Sequence, residues 1–352
     1  RARARRSIQQ AKGVHVQQYS DTIDQIVQQV HGVNEVKVLE APQVGRADRR
    51  NELLMFAKPE LFMVADPEHT RASLNMIFEK LAAFDAEVDG VIIVGGKALE
   101  DKEIMNRHYG FINTMSRKAS ELVNAEDRAK IEELLGVSLD EYKLYGGHEF
   151  LKAHPQYNAQ TLDELWFTKK SQKVRGGFYV QAYEAEGEKF VLVNGFHPVQ
   201  LLHFTEPSHR IVLLLLHSDT DWGKLRNDLV GATFPEKAAP TSIRGTLYAN
   251  PGNYGFETVD IGNNGVHLSA GPYEGLFEVL NFLGNLLDLD PRQQPPLVLK
   301  KLMDAGLSYE EALKVTENPT IEVDGRATDL YGATEDVNTD EAVALYVNAT
   351  RA

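Results

Sequence analysis

The sequence predicts an α+β protein built on an antiparallel sheet with helices packed on it. Two stretches, about residues 51 to 135 and 209 to 290, each follow the order strand, helix, strand in their hydrophobic pattern. The residues between them, 136 to 208, break this rhythm and contain two further strand-like runs. Two strand–helix–strand blocks that share one sheet form the split βαβ, or ferredoxin-like, arrangement. We therefore expect this arrangement, interrupted by an inserted subdomain that contains β-strands.

The composition is that of an ordinary globular chain and excludes several classes of function. The 352 residues are 43% hydrophobic and 25% charged, as in typical soluble proteins. Apolar runs stay shorter than the roughly 20 residues that cross a bilayer, so no membrane span is predicted. The net charge of −14 argues against a broad nucleic-acid surface. Cysteine is absent, which excludes disulfides, thiolate catalysis and cysteine-zinc sites.

Residues 1 to 50 are predicted to form an N-terminal extension. Its first six residues, RARARR, are interpreted as a mobile solvated tail or as the remnant of a targeting signal. The first interpretation predicts a cytoplasmic protein, and the second allows an organelle. A short helix is expected where aliphatic residues share one helical face, at Ile23, Ile26, Val27 and Val30. A strand is expected at 36 to 40.

The first half of the main domain, 51 to 135, opens with the apolar run ELLMFAKPELF. Pro59 cannot donate to a sheet ladder, so this strand should end near Lys58 and leave the lysine ammonium at the sheet edge. A helix is expected over 68 to 84 and a buried strand over 88 to 96. A long helical pattern then runs from about Asp101 to Leu135.

In the insertion, 136 to 208, a hairpin is expected around Gly187. The second half of the main domain, 209 to 290, has a central strand at 210 to 217, the helix KLRNDLVG, the short strand IGNNGVHLS and the helical pattern GLFEVLNFLGNLL. Residues 291 to 352 are predicted to be a helical extension, with a helical pair around Gly306, followed by an acidic tail.

Two apparent motifs fail on spacing. Gly95-Gly96-Lys97 follows a strand, but Val91 and Ala98 stand where a phosphate-binding loop needs glycine and a hydroxyl residue, so a tight strand-to-helix turn is expected. His148-Glu149 is followed by His154 two residues too late for a metalloprotease helix. Three evenly spaced histidines are expected to be satisfied by hydrogen bonds, with metal binding a remote alternative: His197, His203 and His209.

Most of the candidate functional side chains lie between residues 226 and 278. Arg226 and Arg244 offer planar, permanently charged donors of the kind that grip phosphate oxygens. His267 follows both arginines in sequence, and a nucleophilic imidazole beside fixed positive charge can carry a phosphoryl group. Glu278 is expected to accept from the far imidazole nitrogen and set its tautomer. Two neutral polar residues, Thr233 and Asn264, complete the set within this stretch. Lys58, at the end of the first strand of the main domain, is expected to join them.

At these residues the sequence resembles the nucleoside diphosphate kinase family. FAKPEL is similar to the family's strand that ends in Lys-Pro-Asp, with Glu60 in place of the acid. RNDLVGATFPEKAAPTSIRG resembles the family's arginine, Gly-x-Thr-x-Pro and Ile-Arg-Gly elements. NNGVHLS resembles Asn-x-x-His-Gly-Ser, and a glutamate follows eleven residues after the histidine. The resemblance covers about 51 to 123 and 210 to 287.

The resemblance implies an enzyme that moves the terminal phosphate of a nucleoside triphosphate to a nucleoside diphosphate through a phosphohistidine at His267. It implies that Ser269 and Glu278 orient His267, and that Mg²⁺ bridges the bound phosphates. The residues implied to hold phosphates and ribose, or to lie near the phosphate path, are Lys58, Tyr109, Arg226, Thr233, Arg244 and Asn264. A homo-oligomer with nucleoside di- and triphosphates as its ligands is also expected.

The alternative is a catalytically impaired nucleotide-binding or scaffold protein that uses the same fold for assembly or regulation. The intact histidine, lysine and arginines favour the enzyme. Leu268 and Ala270, which stand where the family has Gly and Asp, favour the scaffold, as does the insertion.

Overall fold

A computed structural model of the chain describes residues 19–64, 66–185 and 187–351. The segment RARARR, expected to be a solvated tail or a targeting remnant, lies outside these residues. The protein is mixed α and β and falls into two compact units. The first contains the chain up to Lys102 and from Pro207 onward, and the second is Glu103–Glu206. Among the described residues, no helix combines the length and the apolar character needed to cross a membrane.

The chain up to Lys102 follows the predicted order of elements. Helix α1 covers residues 19–29, and a 3-10 turn follows over Val30–Gly32. Next come β1 (Val36–Glu40), β2 (Asn51–Ala57), α2 (Pro67–Ala83), β3 (Ala86–Gly95) and α3 (Gly96–Asp101). Pro59 ends the β2 strand and opens a 3-10 turn, as expected from its missing N–H. Asp66 caps α2 by accepting the N–H of Glu68 at 3.0 Å. The Gly95–Gly96 step is the expected strand-to-helix turn.

The second unit, Glu103–Glu206, is helical at its start and then forms its own sheet. Its helices are α4 (Ile104–His108), α5 (Gly110–Leu122), α6 (Ala125–Leu135), α7 (Gly147–Ala153), α8 (Ala159–Trp166) and α9 (His197–Thr205). Its strands are β4 (Lys143–Gly146), β5 (Gln172–Arg175), β6 (Phe178–Ala185) and β7 (Glu188–Val193). Strands β6 and β7 are the predicted hairpin, and β4 pairs with β7 in parallel. The predicted boundary at 136 falls inside this unit.

The chain from Pro207 onward completes the first unit. It contains β8 (Arg210–Ser218), α10 (Trp222–Lys224) with a π-helical turn over Leu225–Val230, α11 (Ile243–Ala249), β9 (Val266–Leu268) and α12 (Pro272–Val279). A second π-helical turn, Leu280–Gly284, leads to α13 (Asn285–Leu287). The C-terminal extension has α14 (Leu297–Asp304), α15 (Tyr309–Leu313), β10 (Thr320–Val323), β11 (Arg326–Asp329), α16 (Leu330–Ala333) and α17 (Thr339–Arg351).

The sheet of the first unit has the strand order β1-β3-β8-β2-β9, and all its neighbouring strands are antiparallel. Strands β2 and β8 are buried along their whole length, because apolar groups cover both faces. Pairing of β2 with β9 places His267 directly opposite Phe56 and Val266 opposite Ala57. This register brings the histidine next to the end of β2, where Lys58 follows.

The stretch expected to be an acidic tail is an ordered part of the first unit. The β10–β11 hairpin and α17 enclose an apolar cluster in which Leu330 and Val343 pack with Tyr273 and Leu276 of α12. Acidic residues lie on the outside of this extension, and the apolar residues between them supply enough buried surface to fold it. The C-terminal extension therefore supports the helix that carries Glu278.

Candidate functional site

His267 is held by the middle of β9 and by two side chains. Its ring stacks on that of Phe56, with the centroids 4.5 Å apart and the planes 19° apart. Its Nε2 lies 2.6 Å from Oε1 of Glu278. Only 21% of the His267 side chain is exposed, and Glu278 is fully buried. The ring orientation is thus determined before any ligand binds.

Glu278 belongs to a chain of hydrogen bonds that runs back into the sheet. Its Oε2 accepts from the hydroxyl of Ser269, with an oxygen–oxygen distance of 2.5 Å. The Ser269 oxygen also accepts the backbone N–H of Leu54, at 3.1 Å. A carboxylate that accepts from His267 places the ring proton on Nε2 and the lone pair on Nδ1. Glu278 thus contacts the ring directly and Ser269 contacts it through Glu278, and their orienting role stays a prediction.

The electrostatic surroundings keep the imidazole neutral. Burial and the positive charges of Arg244, Lys58 and Arg226 together lower the pKa of His267 from 6.5 to about 3, against the opposing charge of Glu274. A neutral imidazole retains the lone pair that a nucleophile needs. The same cations would stabilise negative charge brought by a ligand.

Lys58 lies at the end of β2, as predicted, with only 12% of its side chain exposed. Its Nζ donates to the carbonyl of Gly262 at 3.2 Å, and Oε1 of Glu60 lies 4.0 Å away. Burial lowers the pKa of Lys58, and the charge of Glu60 opposes this shift. Glu60 in turn accepts the N–H of Gly265 at 2.8 Å, which ties the lysine turn to the strand that carries His267.

Arg244 emerges from the first turn of α11 and points its guanidinium back toward β9. It donates to the carbonyl of Gly231 at 3.0 Å and to that of Val266 at 2.9 Å. Its Nε is buried and has no hydrogen-bond partner within the described ranges. Burial lowers the pKa of Arg244 to about 10, and the neighbouring charge of Arg226 acts in the same direction. Arg244 is therefore both a structural donor and an incompletely satisfied cation.

Arg226 lies in the π-helical turn that follows α10, with 23% of its side chain exposed. Its guanidinium pairs with Glu335 at 3.0 Å and faces Asp336 at 3.6 Å. Neither carboxylate was suspected from the sequence, because both lie about a hundred residues away in the C-terminal extension. The ion pairs show that Arg226 already has anionic neighbours.

Asn264 and Thr233 meet through the backbone. The buried amide of Asn264 donates to the carbonyl of Ile261 at 3.0 Å and reaches that of Thr233 at 3.4 Å. Its Oδ1 is buried and lacks a hydrogen-bond partner among the residues that the structure describes. Thr233 itself is exposed. The asparagine thus links the loop before α11 to the strand of His267.

Glu274 is a member of this site that the sequence analysis missed. It accepts the backbone N–H of Ala270 at 2.9 Å and lies one helical turn before Glu278 on α12. Burial and the charge of Glu278 together raise the pKa of Glu274 to about 7. The four-residue spacing of the two glutamates was the signal that could have revealed it, because such residues share one helix face.

Tyr109 belongs to the second unit, where it lies between α4 and α5. Its ring makes an edge-on contact with His197, with centroids 5.6 Å apart. Both nitrogens of His197 meet amide oxygens, Asn113 Oδ1 at 3.2 Å and Gln200 Oε1 at 3.0 Å. A neutral ring donates from one of these nitrogens, so His197 is hydrogen-bonded within the second unit, as expected.

Neither a scan against models of protein families nor a search of curated proteins found a match to this chain. The resemblance to nucleoside diphosphate kinase consequently rests on the residues themselves, their order and their spacing.

Proposed function

We propose that the protein is a nucleoside diphosphate kinase-like phosphotransferase that works through a phosphohistidine at His267. One observation carries this proposal. The hydrogen-bonded chain from Ser269 through Glu278 to His267 holds a neutral imidazole with its lone pair on Nδ1, in the field of nearby cations. Phosphoryl transfer requires little beyond such positioning and charge stabilisation.

In the first step, Nδ1 of His267 attacks the terminal phosphorus of a nucleoside triphosphate. The bond from that phosphorus to the bridging oxygen breaks, and the nucleoside diphosphate leaves with the electron pair. In the second step, a terminal phosphate oxygen of another nucleoside diphosphate attacks the same phosphorus, and the phosphorus–nitrogen bond breaks. Glu278 stabilises the ring while it carries positive charge in the intermediate.

The buried cations suit a phosphate ligand. The Nε of Arg244 is a buried donor that lacks a partner among the described residues, and a phosphate oxygen could accept from it. The Oδ1 of Asn264 is a buried acceptor without a partner in the same part of the chain, and a ribose hydroxyl could donate to it. The ammonium of Lys58 adds a third polar group with incomplete compensation for its burial. We assign these residues to phosphate and ribose, whereas Thr233 and Tyr109 enter the proposal through the resemblance alone.

Mg²⁺ would arrive with the nucleotide, held by phosphate oxygens. The carboxylates of Glu278 and Glu60 already accept from His267 and from the N–H of Gly265, so they fit orienting roles better than metal binding. When bound, the ion would neutralise phosphate charge and favour departure of the diphosphate. Lys58 and Arg244 would fix the orientation of the phosphates.

The strand order supports the finer fold assignment. With β1 set aside, the order β3-β8-β2-β9 contains two parallel pairs in which each strand is separated from its mate by an antiparallel neighbour. This is the pattern of the split βαβ, or ferredoxin-like, arrangement. A homo-oligomer remains part of the proposal, and light scattering on the intact protein tests it.

A nucleotide-binding scaffold remains the second candidate, and the ion pairs of Arg226 favour it. A guanidinium that is already paired with Glu335 is less available to phosphate than an unpaired one. This protein would bind nucleotide without transferring phosphate.

Labelling with γ-³²P-ATP and Mg²⁺ separates the two candidates. The enzyme is expected to acquire label that is lost in acid and retained in alkali, and ADP should remove the label. His267→Gln should abolish labelling while the melting temperature stays near that of the intact protein. His31→Gln changes an exposed histidine and is the matched control. Binding of ATP without any label on the protein would reject the enzyme and leave the scaffold.

A further inference from the structure

Two acidic residues of the C-terminal extension contact Arg226, which the resemblance to nucleoside diphosphate kinase assigns to phosphate. Glu335 and Asp336, here called the acidic turn, lie between α16 and α17. Oε1 of Glu335 is 3.0 Å from the Arg226 guanidinium, and Oδ1 of Asp336 is 3.6 Å from its Nε. The other Asp336 oxygen accepts from the amide of Asn227 at 3.3 Å. The acidic turn thus meets two consecutive residues of the π-helical turn.

The acidic turn is held in place by the segment that follows His267. The N–H of Asp336 donates to the carbonyl of Ala270 at 3.0 Å. The backbone of Asp336 is left-handed, with φ of 61°, a conformation that aspartate and asparagine tolerate better than most residues. A side chain at Gly271 would collide with the carbonyl of Thr334, because a Cβ there would lie 2.4 Å away. The backbone of the acidic turn is therefore held beside the segment that follows His267.

Arg226 is also electrostatically coupled to the catalytic histidine. Its charge lowers the pKa of both His267 and Arg244. Carboxylates beside Arg226 thus offset positive charge at the place where the proposed mechanism brings phosphate. A carboxylate and a phosphate oxygen compete for the same guanidinium donors.

We propose that the acidic turn is an internal counter-anion that a phosphate ligand must displace from Arg226. This inference rests on the proposed function and adds Arg226 to its phosphate donors, as the resemblance implies. A singly charged ligand would gain little by replacing Glu335, whereas a di- or triphosphate brings more charge and more acceptor oxygens. The acidic turn therefore selects for the polyphosphate end of a nucleotide, and it links the C-terminal extension to affinity.

Two conservative variants test the proposal in the intact chain. Glu335→Gln removes the charge of the closer carboxylate, and Asp336→Asn does so while keeping a residue that accepts left-handed backbone. An exposed ion pair of this kind corresponds to about two- to fivefold in affinity, so each variant should bind ADP and ATP tighter by about that factor. The double variant should gain more than either one. Glu322→Gln, in the same extension and exposed, is the matched control.

Calorimetric titration with ADP, ATP and pyrophosphate measures the affinities that test the inference. Pyrophosphate is included because it has neither base nor ribose and so reports on phosphate binding alone. Tighter binding of all three by the variants, with Glu322→Gln unchanged, is the expected result. Tighter pyrophosphate binding without any nucleotide binding or protein labelling would support the counter-anion and reject the kinase. Equal affinities in the variants and the intact protein overturn the inference, as does absence of all binding. Thermal melting of each variant shows whether the acidic turn still folds.

Discussion

Replacing Glu278 by glutamine is expected to slow phosphorylation of His267 about tenfold without unfolding the protein. The amide has nearly the volume of the carboxylate. Its oxygen can accept from Nε2 of His267, and its nitrogen can donate to the Ser269 oxygen. Both contacts, now at 2.6 and 2.5 Å, can persist as neutral hydrogen bonds. The substitution therefore removes a charge and leaves the packing in place.

The magnitude follows from the kind of hydrogen bond that is lost. A charge-assisted bond contributes about 1.5–3 kcal/mol, and a neutral one about 0.5–1.5 kcal/mol. The difference, about 1–1.5 kcal/mol, corresponds to about a tenfold change in rate. The effect should be concentrated in the transition state, because the imidazole becomes positive as the nitrogen–phosphorus bond forms.

Rapid-quench labelling with γ-³²P-ATP measures the rate of this step directly. Ser269→Ala is the companion variant, since it removes the hydroxyl contact but keeps the carboxylate charge beside His267. We expect it to slow labelling less than Glu278→Gln does. If Glu278→Gln labels at the rate of the intact protein, the carboxylate does not orient and stabilise the nucleophile. A large loss of melting temperature would instead show that the charge serves the fold.

Three further predictions concern single residues. Lys58→Met should weaken ATP binding, measured by calorimetry, roughly ten- to a hundredfold. Its melting temperature should stay unchanged or rise, because a buried ammonium is removed, and a lower melting temperature would contradict this. Arg244→Ala should weaken binding similarly but also destabilise the fold, because the carbonyls of Gly231 and Val266 lose their donors; an unchanged urea midpoint would count against that structural role. Glu274→Gln should gain stability relative to the intact protein as pH rises from 5 to 8. The folded pKa of Glu274 is raised to about 7, so its protonated form favours folding at low pH and this contribution is lost through pH 7; parallel stability–pH curves would refute this.

The strands and the main helices could be predicted from the sequence because their hydrophobic patterns are strong. The runs that became β2 and β8 are buried along their length, and uninterrupted apolar residues are typical of such central strands. The proline after Lys58 marked the end of β2 correctly. Pairing register, by contrast, depends on contacts between distant segments. The pairing of Phe56 with His267 could therefore not be predicted from the sequence.

The helical pattern from 101 to 135 was wrong as one long element. Glu103 adopts a left-handed backbone and Lys118 a non-helical one, and Asn124 starts a new helix by accepting the N–H of Asp127 at 2.8 Å. The asparagine is a recognisable cap, so this break was visible in the sequence. The breaks at Glu103 and Lys118 had no comparable signal.

The residues of the candidate site could be predicted from the sequence, but the hydrogen bonds and ion pairs that they make with other residues of the protein could not. The sequence predicts that Arg226 and Arg244 donate to phosphate, and the structure adds that both already donate within the fold. Partners such as Glu335 lie too far along the chain for spacing to reveal them. The two arginines thus have structural roles that any ligand must compete with or tolerate.

Burial of Glu278 is the feature that best distinguishes the enzyme from the scaffold. A fully buried carboxylate costs several kcal/mol unless its partners compensate. Apolar side chains of similar volume would fill the space between α12 and β2 with less penalty, and a scaffold would need nothing else there. The residues that depart from the resemblance leave this chain of hydrogen bonds intact. Leu268 is buried opposite Met55, and the N–H of Ala270 is satisfied by Glu274. The buried carboxylate of Glu278 contacts one ring nitrogen of His267, where it would stabilise a histidine that becomes positive during catalysis. The burial of Glu278 therefore favours the phosphotransferase.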